Sequence, residues 1–142
     1  MEQGPYSLSR TRRELEEEDI LVLECPMRAN RCLALQEGRI VGVDTGRFST
    51  EAELRTALIH EDGHFVSGAF YKPFSPYQDK AQAEYRADKA AILKYIPYPE
   101  LAARLRRGDT PAELADYFCV TEDFLHKAYE FYCGMGYSFS GD

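Results

Sequence analysis

The stretch LRTALIHEDGH, residues 54–64, decides how this sequence is interpreted, because it combines the apolar spacing of a helix with two histidines. Its apolar residues recur near the helical period. Upstream, Thr50 and Glu53 form the S/T-x-x-E pattern that caps a helix N-terminus. Downstream, the pattern stops near Gly68, before a loop at 71–77 that is rich in proline and aromatic residues. We therefore predict a helix that begins at about Thr50 and ends near Gly68.

Within this helix, His60 and His64 are four residues apart, so both imidazoles project from the same face about one turn apart. Two imidazoles in that arrangement can bind one metal ion, and neutral imidazole is a good zinc ligand. Glu61 can reach a water molecule in the open coordination position and act as general base. Without further context, the same residues also fit a plain amphipathic helix with solvated polar side chains.

A catalytic zinc site usually has three protein ligands and one water, so the hypothesis requires another His, Glu or Asp. A second helix is predicted over about 79–95, and an antiparallel return after the loop would bring its Glu84 opposite the two histidines. Asp88 lies one turn further along and can accept a hydrogen bond from a ligand imidazole. An ordinary exposed aspartate is the alternative for Asp88. The only other histidine is His126.

The rest of the chain predicts an α+β fold in a single domain over residues 1–142, with a small antiparallel sheet packed on a helical core. Three short runs before Thr50 carry β-branched or alternating apolar residues, and a Glu37-Gly38 turn joins the last two. The sheet occupies about 20–43, the metal-binding helices 50–96 and the C-terminal helices 99–133. In more detail, the predicted elements are a short exposed helix at 8–19, strands at 20–24, 32–36 and 39–43, and C-terminal helices at 99–107, 111–118 and 121–133.

Composition limits the range of partners. The chain has 142 residues, of which 44% are hydrophobic and 29% charged, so it is long enough for one sizeable core. Its formal net charge of -7 disfavours direct nucleic-acid binding, which depends on clustered Lys and Arg. Small size and an acidic surface favour a monomer.

The same sequence features indicate where the protein resides. Its apolar stretches are far shorter than the roughly 20 residues required to cross a bilayer. The N-terminal stretch Met1 to Pro5 lacks the basic-then-apolar order of a secretory signal, so we expect a cytoplasmic protein. The cysteines at positions 25, 32, 119 and 133 form no CxxC unit, so we expect reduced thiols rather than disulfides or a structural zinc site.

Towards the C-terminus, residues 110–125 have the pattern of a helix-turn-helix, with the turn at Cys119-Val120. The second helix opens with Glu122 and Asp123, and anionic side chains at the start of a recognition helix would be repelled by DNA phosphates. We therefore interpret the segment as a packing module rather than a DNA reader. Contact between this module and a protein substrate stays open.

The pattern H-E-x-x-H at 60–64 is typical of zinc peptidases, and such an enzyme also benefits from a hydrogen-bond donor that stabilises the developing oxyanion. Tyrosine and histidine can both serve, and the candidates here are Tyr71, Tyr77, His126 and Tyr137. The sequence does not choose among them, and His126 equally fits a surface histidine. The aromatic loop at 70–77 is either a rim for a bound peptide or a loop held to the core by its rings.

Two helix motifs, in this order and about 20 residues apart, resemble the ImmA/IrrE-type metallopeptidases over about residues 33–130. Members of that family have a helix that reads r-x-t-l-x-HExGH, which corresponds to 54–64 in this chain. Their next helix follows E-x-x-A-[ND]-x-[FA]-A with a proline several residues later. This chain has EYRADKAA at 84–91 and then Pro97. The family's short sheet ends in a turn similar to EGRIV at 37–41.

The resemblance implies a zinc-dependent endopeptidase with a zincin-like helical core. His60, His64 and Glu84 would then be the ligands of Zn²⁺. Glu61 would be the catalytic base. The resemblance also suggests the substrate: a transcriptional repressor, itself a helix-turn-helix protein, encoded beside the peptidase on a phage or mobile element.

Two positions depart from the family pattern. Asp62 stands where an apolar residue is usual, and its charge either faces solvent or perturbs the site. Ala90 replaces the commoner Phe at one packing position. An alternative function keeps the fold and the metal: a non-catalytic regulator or anti-repressor that removes its partner by binding. A binder does not require Glu61, so its presence favours the enzyme.

Overall fold

The computed structural model describes residues 5–72 and 74–139, and it confirms the α+β class. Residues 1–4, part of the N-terminal stretch used above to argue against a secretory signal, lie outside these ranges. No described helix is both long and apolar enough to cross a bilayer. The elements are α1 Leu8–Glu17, β1 Leu21–Glu24, β2 Cys32–Leu35, β3 Ile40–Val43, a 3-10 helix Thr45–Arg47, α2 Glu51–Ser67, α3 Tyr77–Tyr95, α4 Tyr98–Arg106, α5 Pro111–Phe118 and α6 Glu122–Gly134.

The bounds of α2 follow from its end residues, as predicted. The Thr50 hydroxyl accepts a hydrogen bond from the Glu53 amide at 3.1 Å, which caps the N-terminus. The Glu53 carboxylate accepts from the amide of Ser49 at 3.2 Å, one residue before the cap. Gly68 ends the helix in the left-handed region, with φ of 71°, a conformation that glycine adopts without steric cost.

The sheet is mixed, so the prediction of an antiparallel sheet is wrong for β1. The strand order is β1-β3-β2: β2 and β3 form the predicted antiparallel hairpin, whereas β1 pairs with β3 in parallel. The hairpin is local, because the Glu37-Gly38 turn joins its strands directly. β1 instead occupies the far side of β3, since the segment 25–31 carries the chain across to the start of β2. Periodicity shows which side of a short strand is buried, but it does not show which strand lies beside it.

One face of the sheet is buried and the other is exposed. Val41 and Val43 face the protein interior. The register places four leucines on the opposite face, because two of them pair with Ile40 and two with Gly42. These leucines are between 39% and 53% exposed, and they are Leu21, Leu23, Leu33 and Leu35.

Helix α2 lies between two apolar cores and contributes to both. Leu54 and Leu58 pack with α1 and the buried face of the sheet. Ile59, on another side of the helix, packs with residues of α3 to α6, including Phe118 and Tyr132. Because α2 is buried on two sides, only a narrow face remains for the polar side chains of the HExxH stretch.

Two polar anchors fix α2 to the first helix and to the C-terminal segment. The buried Arg55 side chain donates from Nε to the Thr11 hydroxyl at 2.9 Å and from a terminal nitrogen to the Phe118 carbonyl. Thr56 Oγ1 accepts a hydrogen bond from the Thr121 amide at 3.0 Å. The C-terminal helices are therefore held beside α2, about one turn before His60.

Helices α2 and α3 are in close backbone contact at Gly63. A Cβ atom built on Gly63 would lie 2.1 Å from the carbonyl oxygen of Ala87, so no side chain fits there. The helices run antiparallel: Glu84 faces His64, while Tyr95, at the other end of α3, lies beside Arg55.

This contact yields a prediction for stability. Gly63→Ala should lower the free energy of unfolding by about 1–3 kcal/mol, because the new methyl group must push two backbones apart. Gly134→Ala is the matched control: a Cβ there meets no atom within 4 Å, so stability should stay the same or rise slightly. Urea unfolding followed by circular dichroism measures both variants. Equal stability of the two variants would show that the close approach of the helices is not required.

Candidate metal centre

The structure brings His60 and His64 of α2 together with Glu84 of α3. The two imidazole rings lie on the same side of α2, with centroids 5.0 Å apart. His60 Nε2 lies 2.7 Å from one carboxylate oxygen of Glu84, and His64 Nε2 lies 3.2 Å from the other. One ligand atom from each residue falls within 4.8 Å of the others. These three residues form a candidate metal site.

The outer nitrogen of each imidazole is fixed by a hydrogen bond. His64 Nδ1 lies 2.6 Å from the carbonyl oxygen of Ala69, and a carbonyl can only accept, so Nδ1 carries the proton. His60 Nδ1 lies 2.8 Å from Oδ1 of Asp88, and this carboxylate favours the same tautomer. In both neutral rings the Nε2 lone pair is therefore directed at the centre of the site, which is the orientation that a metal ligand requires.

The converging atoms require a positive charge between them. Two neutral imidazoles would present their Nε2 lone pairs to the oxygens of the Glu84 carboxylate, and contacts of 2.7 and 3.2 Å between such acceptors are repulsive. Protons on both rings would remove the repulsion, and one cation bound to all three groups would remove it as well. Two imidazoles and one carboxylate are a ligand set that suits zinc, with a coordination position left for water.

The pKa values of the two histidines and Glu84 reflect the same requirement for a positive charge. Burial acts to lower the pKa of His60, but hydrogen bonds with Asp88 and Glu84 outweigh it and raise the pKa to about 10. The pKa of His64 is raised too, because its contacts with Glu84 and the Ala69 carbonyl outweigh burial. The hydrogen bonds with both imidazoles hold the pKa of Glu84 far below its usual value. The site therefore favours a positive charge at its centre.

Glu61 lies beside this cluster, at the junction of α2 and the sheet. Its side chain is buried, and Oε1 accepts a hydrogen bond from the backbone amide of Ala34 in β2 at 2.9 Å. Burial raises the pKa of Glu61, although the neighbouring imidazoles act in the opposite direction. The sequence did not indicate the contact with Ala34, because the register of the strands could not be derived from their alternation.

Asp88 connects the cluster to the C-terminal helix. One carboxylate oxygen contacts His60, and the other accepts from Nζ of Lys127 in α6 at 2.9 Å. The side chain of Asp88 is mostly buried, so the alternative of an ordinary exposed aspartate is wrong. Its two contacts hold the His60 ring in one orientation and one tautomer.

Asp62 points away from the cluster, although it adjoins Glu61 in the chain. It is fully buried, and its Oδ2 accepts from Nζ of Lys94 at 2.7 Å and from the hydroxyl of Tyr95 at 2.6 Å. Lys94 also pairs with Glu18. Of the two alternatives for Asp62, exposure to solvent is therefore wrong, and its charge is paired with Lys94 on the far side of α2. Ala90, the second departure from the family pattern, is only partly buried.

Of the four candidates for an oxyanion donor, the structure places Tyr71 at the cluster. Tyr71 lines a cavity of about 180 Å³ together with Glu61, His64 and Glu84. Burial and the Glu84 carboxylate raise its pKa, so the hydroxyl keeps its proton at neutral pH. The other three lie elsewhere: Tyr77 is exposed, His126 pairs with Glu130, and Tyr137 packs on Tyr98 and Tyr132.

The two ends of the aromatic loop differ in their surroundings. The Phe70 ring packs against His64, at 5.7 Å between centroids, and against Phe65 at 5.2 Å, so this end of the loop is held to the core. Phe74 is almost fully exposed, as is Tyr77. The loop therefore supports the imidazole of His64 at one end and presents aromatic rings to solvent at the other.

A larger cleft of about 710 Å³ lies on the other side of the cluster. Glu61 and Glu84 line both this cleft and the smaller cavity, so the candidate metal site lies between them. Cys32 of β2 also lines both, and all four cysteines are free thiols. Sequence reasoning missed Cys32, because no motif links it to the cluster.

Comparison with known proteins found no match to any protein family, curated protein or solved structure. The resemblance to ImmA/IrrE-type peptidases therefore depends on the two motifs alone. The assignment of a function depends on the geometry of the cluster.

Metal content tests the cluster directly. Wild-type protein prepared without chelator should contain close to one zinc per chain, and Glu84→Ala should contain much less, because two imidazoles alone bind weakly. Glu122→Ala, which removes an exposed carboxylate remote from the cluster, is the control and should match wild type. Elemental analysis gives the stoichiometry, and stoichiometric zinc in Glu84→Ala would exclude Glu84 as a ligand.

The role of Asp88 requires an affinity measurement. Asp88→Asn should retain the metal but bind it about 10–100-fold more weakly, because the His60 ring loses its charged hydrogen-bond partner. Competition with a chromophoric chelator measures the dissociation constant. Unchanged affinity would mean that packing alone holds the imidazole in place.

Proposed function

We propose that this protein is a zinc-dependent endopeptidase of the ImmA/IrrE type. The observation that carries the proposal is the convergence of His60, His64 and Glu84, with a buried carboxylate, Glu61, beside them. The tautomers set by Asp88 and by the Ala69 carbonyl support it further, since they direct both Nε2 lone pairs at one point.

In this proposal His60, His64 and Glu84 hold the ion. Bound zinc lowers the pKa of a coordinated water from about 15.7 towards 7 and polarises the scissile carbonyl. Manganese and iron also accept imidazole and carboxylate ligands, but this set suits zinc best.

Glu61 is the proposed proton carrier. Its carboxylate takes a proton from the attacking water as the new C–O bond forms, and passes it to the amine nitrogen as the C–N bond breaks. Burial raises the pKa of Glu61, which makes its carboxylate a stronger base towards water. The hydrogen bond from Ala34 keeps the carboxylate beside the cluster.

Tyr71 is the proposed donor to the developing oxyanion. Its side chain lines the same cavity as Glu61, His64 and Glu84, and its raised pKa keeps the hydroxyl protonated. A neutral phenol can donate a hydrogen bond to the tetrahedral oxygen, which strengthens as negative charge develops there.

The arrangement around β2 supports an extended peptide as substrate. β2 is an edge strand, and the Ala34 amide points away from β3 towards Glu61. Cys32, two residues earlier, faces the same edge by alternation, so its backbone groups are available to an added strand. Because the two cavities continue on both sides of Glu61 and Glu84, a chain can enter and leave the site, as endopeptidase activity requires.

The biological setting of the proposal comes from the resemblance. The proposed substrate is a protein, and a helix-turn-helix repressor of a phage or mobile element is the specific candidate. The proposed location is the cytoplasm, and the proposed state is a monomer. The acidic net charge of -7 supports a protein rather than a nucleic acid as partner.

The Glu61→Gln variant tests the catalytic role. Hydrolysis of an unfolded protein such as casein by the zinc-loaded protein should fall by about 10²–10⁴-fold or more, because the proton carrier is lost. Zinc content should stay near that of wild type, since Glu61 is not a ligand and the glutamine oxygen can still accept from Ala34. Mass spectrometry of the fragments measures cleavage.

The control is Glu37→Gln, an exposed change in the hairpin turn that should leave cleavage intact. If zinc-loaded wild type binds proteins but cuts none, the non-catalytic regulator replaces the peptidase. If Glu61→Gln cuts as fast as wild type, Glu61 is not the base.

A further inference from the structure

The first turn of α6 forms one wall of the larger cleft. Thr121, which precedes α6, is fixed to Thr56 of α2 by a hydrogen bond of 3.0 Å. One turn further, Lys127 bonds to Asp88 at 2.9 Å. These contacts hold α6 at both ends of the cleft wall, and Asp123 and Phe124 between them line the cleft.

The cleft is lined by both apolar and polar side chains. Phe48, Ala57 and the buried Phe124 supply apolar surface. Among the wall carboxylates outside the metal cluster, Glu53 pairs with Arg31 at 3.6 Å.

The remaining wall carboxylates differ in their partners. Asp88 is bonded to both His60 and Lys127. Asp123 lines the cleft, but no described cation lies within ion-pairing distance of it. Among the described residues of the wall, Asp123 is therefore a carboxylate without an ion-pair partner.

We propose that this cleft binds a lysine or arginine side chain of the substrate and that Asp123 selects it. The inference rests on the proposed peptidase function and specifies its substrate class. The aliphatic part of such a side chain packs against the apolar residues of the cleft, such as Phe48 and Ala57, while its charged end reaches Asp123.

The N-terminus of α6 does not oppose this binding. A helix N-terminus carries a partial positive charge of about half an elementary charge. The first turn of α6 contains two carboxylates, Glu122 and Asp123, so its net charge is negative. The Thr121 hydroxyl also accepts a hydrogen bond from the Phe124 amide, which satisfies one of the free backbone donors.

The size of the effect is limited by solvent. Asp123 is exposed, and an exposed ion pair changes affinity only about two- to fivefold. The preference should weaken as salt increases, because exposed charges are screened. Asp123 therefore biases the choice among peptides and does not supply most of the binding.

Peptide binding to a hydrolysis-blocked protein tests the proposal. The probes are fluorescein-labelled alanine-based peptides in which one lysine is moved through each position, with norleucine at the same position as the uncharged analogue. Fluorescence anisotropy with the zinc-loaded Glu61→Gln protein gives the dissociation constants. We expect the lysine peptide to bind about two- to fivefold more tightly at the position that faces the cleft, and to lose this advantage at high salt.

Matched variants separate Asp123 from general electrostatics. In the Glu61→Gln background, Asp123→Asn should abolish the preference for lysine, and Asp123→Lys should reverse it. Glu122→Gln removes the same charge from the same turn of α6, but Glu122 does not line this cleft, so the preference should persist.

The outcomes distinguish this inference from the proposed function. Equal affinity for lysine and norleucine peptides at every position, an absence of binding, or an unchanged preference in Asp123→Asn would each overturn the role of Asp123. Those results leave cleavage of casein by wild type unaffected. The converse outcome is that the wild-type protein cleaves no casein while the preference for lysine peptides still depends on Asp123. That result would support the role of Asp123 in binding and exclude the proposed peptidase function.

Discussion

The close contact between α2 and α3 at Gly63 is the constraint on which the rest of the molecule depends. Because Gly63 has no Cβ, the Ala87 carbonyl can lie where a side chain would otherwise be. On α3 the same interface is a row of buried alanines at helical spacing, Ala83, Ala87 and Ala91. Small residues on both helices bring their backbones together, and the short distance allows one carboxylate of α3 to reach both imidazoles of α2. A larger residue at the contact would push the two helices apart and separate Glu84 from the histidines, even though all three candidate ligands were still present.

The charged groups of α2 are divided between two sides of the helix. On one side, the imidazoles face Glu84 and Asp88, and the charge balance of the cluster is completed by a proton or a metal ion. On the other side, buried Asp62 is balanced by Lys94 and by the Tyr95 hydroxyl. This second group stabilises the pairing of α2 with α3 by polar contacts that leave the metal cluster untouched. An acidic residue at position 62 is therefore compatible with the candidate site, because the helix directs it away from Glu61.

Local sequence signals, such as capping residues and helical periodicity, made most of the fold and the core of the site predictable. Contacts across the sheet were not predictable from the sequence. Helix bounds followed from capping residues and glycine, and Glu84 followed from the requirement for a third ligand on the next helix. The parallel pairing of β1 with β3 was not predictable, because four-residue strands carry little information about their neighbours. The hydrogen bond from Ala34 to Glu61 depends instead on the pairing of β2 with β3, since the register of this hairpin decides which β2 amides face the site. The sequence offered Tyr71 only as one of four candidate oxyanion donors, because the path of the loop decides which aromatic ring reaches the cluster.

The C-terminal segment has the sequence pattern of a helix-turn-helix, but its contacts in the fold give it a different position from that of a DNA-binding module. Residues 110–125 do form two helices joined by a turn, and the acidic start of α6 argues against DNA as its target. Thr121 and Lys127 instead attach α6 to α2 and α3, so the same acidic turn faces a cleft beside the candidate metal site. Groups that would act on a peptide bond thus lie on α2, on α3 and at Tyr71, while the cleft walls come from α2, β2 and α6. Lys127 of α6 helps to hold the His60 ring through Asp88, whereas Asp123 in the same wall supplies no ligand, so it can change while the cluster keeps its ligands.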